Sequence, residues 1–338
     1  MPLSEREITE PVDLTGPTGL LNPEAVGWTR TPLHRTDSVT HGLIGRTRTK
    51  RWEYWAITTP THAVGLVVSD ISYASTHGIF VLDRRTGEQI SHDTVGLPGA
   101  ASLPGTLGEG VSRSRTRTVQ LEFTHHDDAT HLSASGPRVR LEVTAHRPPG
   151  HQSLGVVVPW SQQFYQYTVK DLARPATGTL WVDGVPHELP AAGSWATVDH
   201  GRGRWHRDVR WNWGAGTGTV AGRTVGIQVG GQWTVGTGST ENAVLVDGRL
   251  SKVSAELDWS YDRRDWLAPW QVRGAGVALT FIPEHLRRAV TDLGIISSRT
   301  HQCFGVWSGP VQLPHGETLT LTAENEVYGW AEDVHQRW

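Results

Sequence analysis

Residues 180–189 read LWVDGVPHEL, and residues 244–253 read VLVDGRLSKV. Each places Asp-Gly between two apolar segments. Asp-Gly accepts positive φ at both centres of a two-residue turn, and the twist of that turn matches a pair of antiparallel strands. Two hairpins are therefore predicted. Around them lie RWEYWAIT (51–58), HAVGLVVSD (62–70), RVRLEVT (138–144), FYQYTVK (164–170) and TVGIQVG (224–230), all short and rich in β-branched or aromatic residues. Strands at such intervals, with few helices between them, predict an all-β chain of antiparallel barrels or sandwiches.

The best helical candidate is PEHLRRAVTDLG (283–294), where Leu286, Val290 and Leu293 share a face, Pro283 could open the element and Gly294 could end it, with an extended connection as the alternative. Residues 91–116, rich in Gly, Pro and Ser, are predicted to be a long surface loop. The pattern breaks again at HRPPGHQ (146–152), which sets the expected domains at 1–150 and 151–338. Residues 11–28, PVDLTGPTGLLNPEAVGW, are too turn-rich for a regular element and are expected to pack across a barrel.

Lysine plus arginine (31) nearly balances aspartate plus glutamate (34) in 338 residues, for a net charge of −3. Nucleic acid binding needs a concentrated basic patch, and the arginines here are scattered. A single cysteine, Cys303, excludes an intramolecular disulfide, and its setting QCFGVW reads as inert packing. MPLSEREITEP lacks the apolar stretch of a secretory signal, and no apolar run is long enough for a membrane span, so a cytoplasmic location is expected. Sixteen tryptophans against five phenylalanines and six tyrosines suit cores, pocket walls and interfaces alike.

Phosphate-binding glycine motifs are absent: GAGTGTVAG (214–222) has neither the spacing nor the helix that such loops require. THHDDATH (124–131) collects three histidines and two aspartates. Adjacent histidines on a strand point to opposite faces, so a hairpin turn is the better reading and no metal is expected. No cofactor is expected either.

The densest stretch is VDHGRGRWHRDVRWNWGAGTG (198–218). A strand over 205–213 would put Trp205, Arg207, Val209, Trp211 and Trp213 on one face, with His206, Asp208, Arg210 and Asn212 on the other. DHGRG would form a glycine-shaped turn presenting Asp199, His200 and Arg202 to a cavity mouth. The plainer alternative pairs Asp199 with Arg202 merely to fix that turn. TEN follows another glycine-rich turn, so Glu241 and Asn242 are expected nearby. Trp55 and Tyr73 would contribute from the first domain.

Several stretches resemble the bacterial family known as domain of unknown function 2804: LTGPTGLLNPEAVGWTRTPLHR, KRWEYWAI, DHGRGRWHRDVRWNWGAGTG, TENAVLVDGRLSKV, CFGVWSG and GWAEDVHQRW. They run from near residue 10 to the C-terminus. The sequence departs from the family pattern at His206 and Arg207, where Pro-Tyr would be expected. The family is in turn distantly similar to proteins of two lipocalin-like barrels, among them carotenoid hydratases and tocopherol-cyclase-like enzymes. That resemblance implies two antiparallel barrels, a hydrophobic small-molecule ligand or substrate, and an active-site Asp-His pair matched here by Asp199 and His200. Three functions follow as expectations: a hydratase, isomerase or cyclase using Asp199 as acid; a binding protein without chemistry; and a tryptophan-rich carbohydrate module.

Overall fold

The computed structural model describes residues 3–40, 45–292, 297–314 and 316–337. Among them helix is confined to Gly45–Arg48 and three short 3-10 turns. The rest of the regular structure is two curled antiparallel sheets of 14 and 10 strands, beside one two-stranded pairing. The chain forms two compact units, Ile8–Trp205 and Met1–Glu7 with His206–Trp338.

Both Asp-Gly turns form as the sequence requires. Asp183 and Gly184 have φ of 50° and 80°, and Asp247 and Gly248 have 48° and 75°. Two further hairpins turn on Ala221-Gly222 and Ala275-Gly276 with the same signs. Alanine there carries a steric cost that aspartate offsets with its polar side chain, so these two turns carried a weaker signal.

In the first unit the sheet runs Gln89–Gly96, Ser75–Asp83, His62–Asp70, Thr49–Thr58, Trp195–Arg204, Tyr165–Val182, Val139–His146, Ala129–Ser135, Gln120–His125, Val111–Arg115 and Ala101–Ser102. One apolar cluster lines its interior face, drawing Trp55, Ile57, Leu66, Ile79, Phe123, Leu132, Val169 and Val198 from strands across the whole order. The turn-rich N-terminal segment packs onto this core as expected: Leu14, Leu21 and Ala25 are buried in it, and Trp28–Thr29 pairs with Leu154–Pro159.

Three expectations are corrected. The units divide at Trp205, not near residue 150, because Tyr165–Val182 ladders onto Val139–His146 and binds both sides of the expected boundary into one sheet. The helical candidate is part of the strand Val277–Asp292. Its partner Ser297–Gln312 supplies a ladder along the segment, and a register shift between Pro283 and His285 accommodates a proline that has no N–H to give. Leu293 and Gly294 lie outside the described residues. The 91–116 loop also contains strand: Gln89–Gly96 and Val111–Arg115 enter it from either side, with the short strand Ala101–Ser102 between them.

The second unit orders Arg249–Lys252, Ala243–Val246, Arg223–Gly231, Asp208–Val220, Val327–Arg337, Ser297–Gln312, Val277–Asp292, Trp270–Gly274 and Asp258–Ser260. Trp270, Phe281, Trp307 and Ile227 anchor its core. The chain start belongs here. The Glu5 carboxylate accepts from Lys252 Nζ at 2.6 Å and from the Thr240 N–H at 2.6 Å.

Candidate functional site

Three neighbouring strands of the first unit, Thr49–Thr58, Trp195–Arg204 and Tyr165–Val182, set the geometry. Their registers place Arg51, Arg202 and Tyr167 in one row, Glu53, His200 and Val169 in the next, and Trp55 opposite Val198 in a third. Strand alternation sends alternate residues to the same face. Trp55, Val198, Val169 and Tyr167 belong to the buried cluster, so this face is the interior.

Glu53 is wholly buried in that apolar setting. Its Oε1 accepts from Trp55 Nε1 at 2.7 Å and lies 3.1 Å from His125 Nε2. Ser112 Oγ donates to Oε2 at 2.5 Å. His125 has a second contact, Nδ1 to Thr130 Oγ1 at 3.2 Å. Burial by itself would raise the Glu53 pKa. The facing His125 and His200 rings more than reverse this and hold the carboxyl well below its usual range.

His200 is different. Its Nδ1 stands 3.9 Å from Glu53 Oε2, within ion-pair reach but beyond a hydrogen bond. Neither ring nitrogen has a hydrogen-bond partner, although the side chain is wholly buried. Burial first, and the charge of Arg202 second, push its pKa down to about 3 in spite of Glu53. At neutral pH it is therefore a neutral imidazole. A buried imidazole with no hydrogen bond to either nitrogen is rare in native proteins and calls for an explanation, such as a water or ligand that belongs there.

Asp199 points the other way. Across the sheet from His200's face it meets Lys170 Nζ at 2.9 Å, Thr168 Oγ1 at 2.8 Å and Trp52 Nε1 at 3.0 Å. The expected Asp199–His200 pair is thus split by strand alternation, and DHGRG is strand rather than turn. The alternative Asp199–Arg202 ion pair does not form either. Arg202 faces inward and donates to the carbonyls of Trp52, Gly201 and Pro104. Gly201 is required on the Asp199 face, since a Cβ there would collide with the Trp52 ring. Trp205 packs on this same outer cluster, edge-on to Trp52 at 5.3 Å and donating to Gln166 Oε1 at 2.6 Å. It ends the first unit and is not part of the strand Asp208–Val220.

Of the remaining expected residues, Trp55 belongs to the Glu53 cluster. Tyr73 instead lies under the Lys50 ammonium, 4.6 Å from its ring. Trp211, Asn212, Trp213, Glu241 and Asn242 fall in the second unit. There Trp211 lies 5.6 Å from Trp233, whose Nε1 donates to Glu241 at 2.8 Å. Asn242 accepts from the Gly230 N–H and donates to the Ala255 carbonyl, and so fixes the backbone on either side of it. Trp213 stands edge-on to Trp330 at 5.0 Å. Asn212 shares its strand face with Gly214 and Gly216, whose missing side chains make room for the core residue Trp307. The core face of this strand is therefore the glycine and asparagine face, with Trp211 and Trp213 on the other.

Glu53, Ser112 and His125 were missed by motif reading. The available signal was Glu53 itself, a charge in phase with Trp55 and Ile57 inside a strand otherwise rich in large apolar residues. Cys303 is buried with its thiol pushed up to about 12, in keeping with inert packing. Among the described residues, no group of three or more His, Cys, Asp or Glu side chains is arranged to hold a metal ion. No helix among them is long and apolar enough to cross a membrane.

A family model described as a domain of unknown function, DUF2804, matches residues 5–338. The chain belongs to that family. Among solved structures, kievitone hydratase from Nectria haematococca aligns with a TM-score of 0.52 at 12% identity, over 88% of this chain and 92% of that one. CghA with Sch210972 aligns at 0.49 and 14% identity, over 86% and 89%. The first likeness shows the shared fold, the two-barrel lipocalin-like architecture. No curated protein matches the sequence.

Proposed function

We propose that the first unit binds a largely apolar small molecule against its interior face, and that His200 transfers a proton there in a hydration, isomerisation or cyclisation. The observation that carries this reading is the wholly buried, neutral His200 with two unpartnered nitrogens beside the Glu53 carboxylate. A residue serving stability alone gains nothing from that arrangement, because a buried polar group without a partner costs on the order of 1–3 kcal/mol. The fold shared with kievitone hydratase supports the class of reaction without fixing the substrate.

The chemistry follows from protonation states. With a pKa near 3, His200 is a poor store of protons at neutral pH, so it begins as a base. In a hydration it takes a proton from water as the oxygen bonds to an electron-poor alkene carbon. The imidazolium so formed is a strong acid in this setting even beside Glu53, and it passes its proton to the neighbouring carbon, which restores the base. In an isomerisation the same nitrogen removes a proton from carbon and returns it elsewhere. Asp199, saturated by Lys170, Thr168 and Trp52, holds strands together on the opposite face.

Mass spectrometry of small molecules that copurify with the chain supplies the compound to assay. His200→Gln is expected to lower its turnover by about 10²–10⁴-fold, the usual worth of a general base. Asp199→Asn, if folded, is expected to retain turnover. Wild-type turnover by folded His200→Gln would overturn the proposal, and loss confined to Asp199→Asn would move the chemistry to the other face.

A further inference from the structure

Resting on that reading, we infer that the bound molecule carries an anionic head, a carboxylate or similar compact oxyanion, seated at Arg202, with its apolar body lying toward Trp55 and Ile57. The three rows described above are graded. Arg51, Arg202 and Tyr167 form one end, Glu53 and His200 the middle, and beyond them Trp55 faces Val198 and Ile57 faces Ala196.

Arg202 is wholly buried, and its two terminal nitrogens are taken by three backbone carbonyls at 2.7–2.8 Å. Carbonyls satisfy N–H groups but bring no net charge. Among the described residues no carboxylate lies within ion-pair distance of this guanidinium, and the Glu53 carboxylate in the next row is engaged by Trp55, Ser112 and His125. Arg51 adds a second cation to the row, and its own donation is to the Leu103 carbonyl. Burial first, then the Arg51 charge, pull the Arg202 pKa down to about 9 against the more distant attraction of Glu53, Tyr167 and Asp70. Two donors are left over at this spot. Arg202 Nε has no partner, and the buried Tyr167 hydroxyl, with the His34 backbone N–H turned toward its oxygen, has no acceptor for its own proton. An oxyanion accepting from both would supply a counter-charge at contact distance and satisfy both donors at once, through charge-assisted bonds.

The placement also sets a distance. Successive inward residues on a strand are about 7 Å apart, so the carbon facing His200 lies several bonds from the head rather than next to it.

Decanoate and decanol test this, since they share a chain and differ in the head. By titration calorimetry at pH 7.5, decanoate is expected to bind at least tenfold more tightly than decanol. Tyr167→Phe, which keeps the ring, should narrow that ratio, and Arg202→Gln should abolish it. Equal affinities in the wild type, or a ratio untouched by Tyr167→Phe, would overturn the anionic head while leaving an apolar ligand site in place. Binding of neither probe would overturn the ligand site as well, and the inference with it.

Discussion

The two faces of Trp195–Arg204 carry the two residues that the sequence presents as a pair, and they could hardly differ more. On one face Asp199 is met by an ammonium, a hydroxyl and an indole N–H, each within 3.0 Å. On the other, His200 is wholly buried with no hydrogen bond to either nitrogen, next to a guanidinium with a donor to spare. Polar groups that close on one another stabilise a sheet. Polar groups left open in a dry interior cost stability and are retained where something else must meet them. The difference separates scaffold from site better than residue type does, since both faces hold an acid, a base and a tryptophan.

The comparison breaks first at Glu53. Glu53→Ala would leave Trp55, Ser112 and His125 buried without their acceptor, and should cost about 4 kcal/mol in urea unfolding. A loss under 1 kcal/mol would show that the cluster is not the interior keystone described. Next comes the satisfied face. Lys170→Met strands the Asp199 carboxylate and should cost about 3 kcal/mol, whereas Lys170→Met with Asp199→Leu should recover most of it, as buried pairs replaced together by apolar residues do. Additive losses in that double-mutant cycle would mean that the pair is not coupled.

The smallest effect is in acid. His200 has a folded pKa near 3 against an unfolded value near 6.5, so the unfolded chain binds the extra proton between those limits. Its contribution to stability is complete above about pH 6.5 and is lost as the pH falls toward 3, amounting to about 2 kcal/mol at pH 5. His34, pushed down to about 4 by burial, acts in the same direction. His200→Phe should therefore flatten the fall in stability between pH 7 and pH 5. An unchanged slope would show that His200 is not a neutral buried imidazole.

Much of the fold was legible because hairpins and alternation are local. Asp183-Gly184 and Asp247-Gly248 declare their turns in two residues, and the strands beside them follow. What escaped was decided at a distance. The segment after Pro283 matches a helical period as well as an extended one, and only the partner strand Ser297–Gln312 decides between them. The boundary near 150 failed because a Pro-Gly break in sequence says nothing about which strands later pair across it. The site shows the same division. The 198–218 stretch does contain His200 and Arg202, yet reading DHGRG as a turn hid the alternation that parts Asp199 from His200. In THHDDATH the turn reading failed at His125, which ends a strand and faces the core, whereas His126 does begin an exposed turn. Glu53, Ser112, His125 and His200 come from four separate strands, and their meeting is a property of sheet curvature that no spacing rule records.

The opposite outlooks of Asp199 and His200 also bear on how reliably this sheet assembles. A slip of Trp195–Arg204 by one residue against its neighbours would exchange the two faces. Asp199 would then be carried inward beside Glu53, carboxylate against carboxylate in a dry interior, while the His200 imidazole would be offered to the Lys170 ammonium. Both faces would object at once, and Gly201 would no longer lie under Trp52. A misthreaded strand is thus rejected by charge on one side and by shape on the other, so the residues that divide scaffold from site also proofread the register while the chain folds.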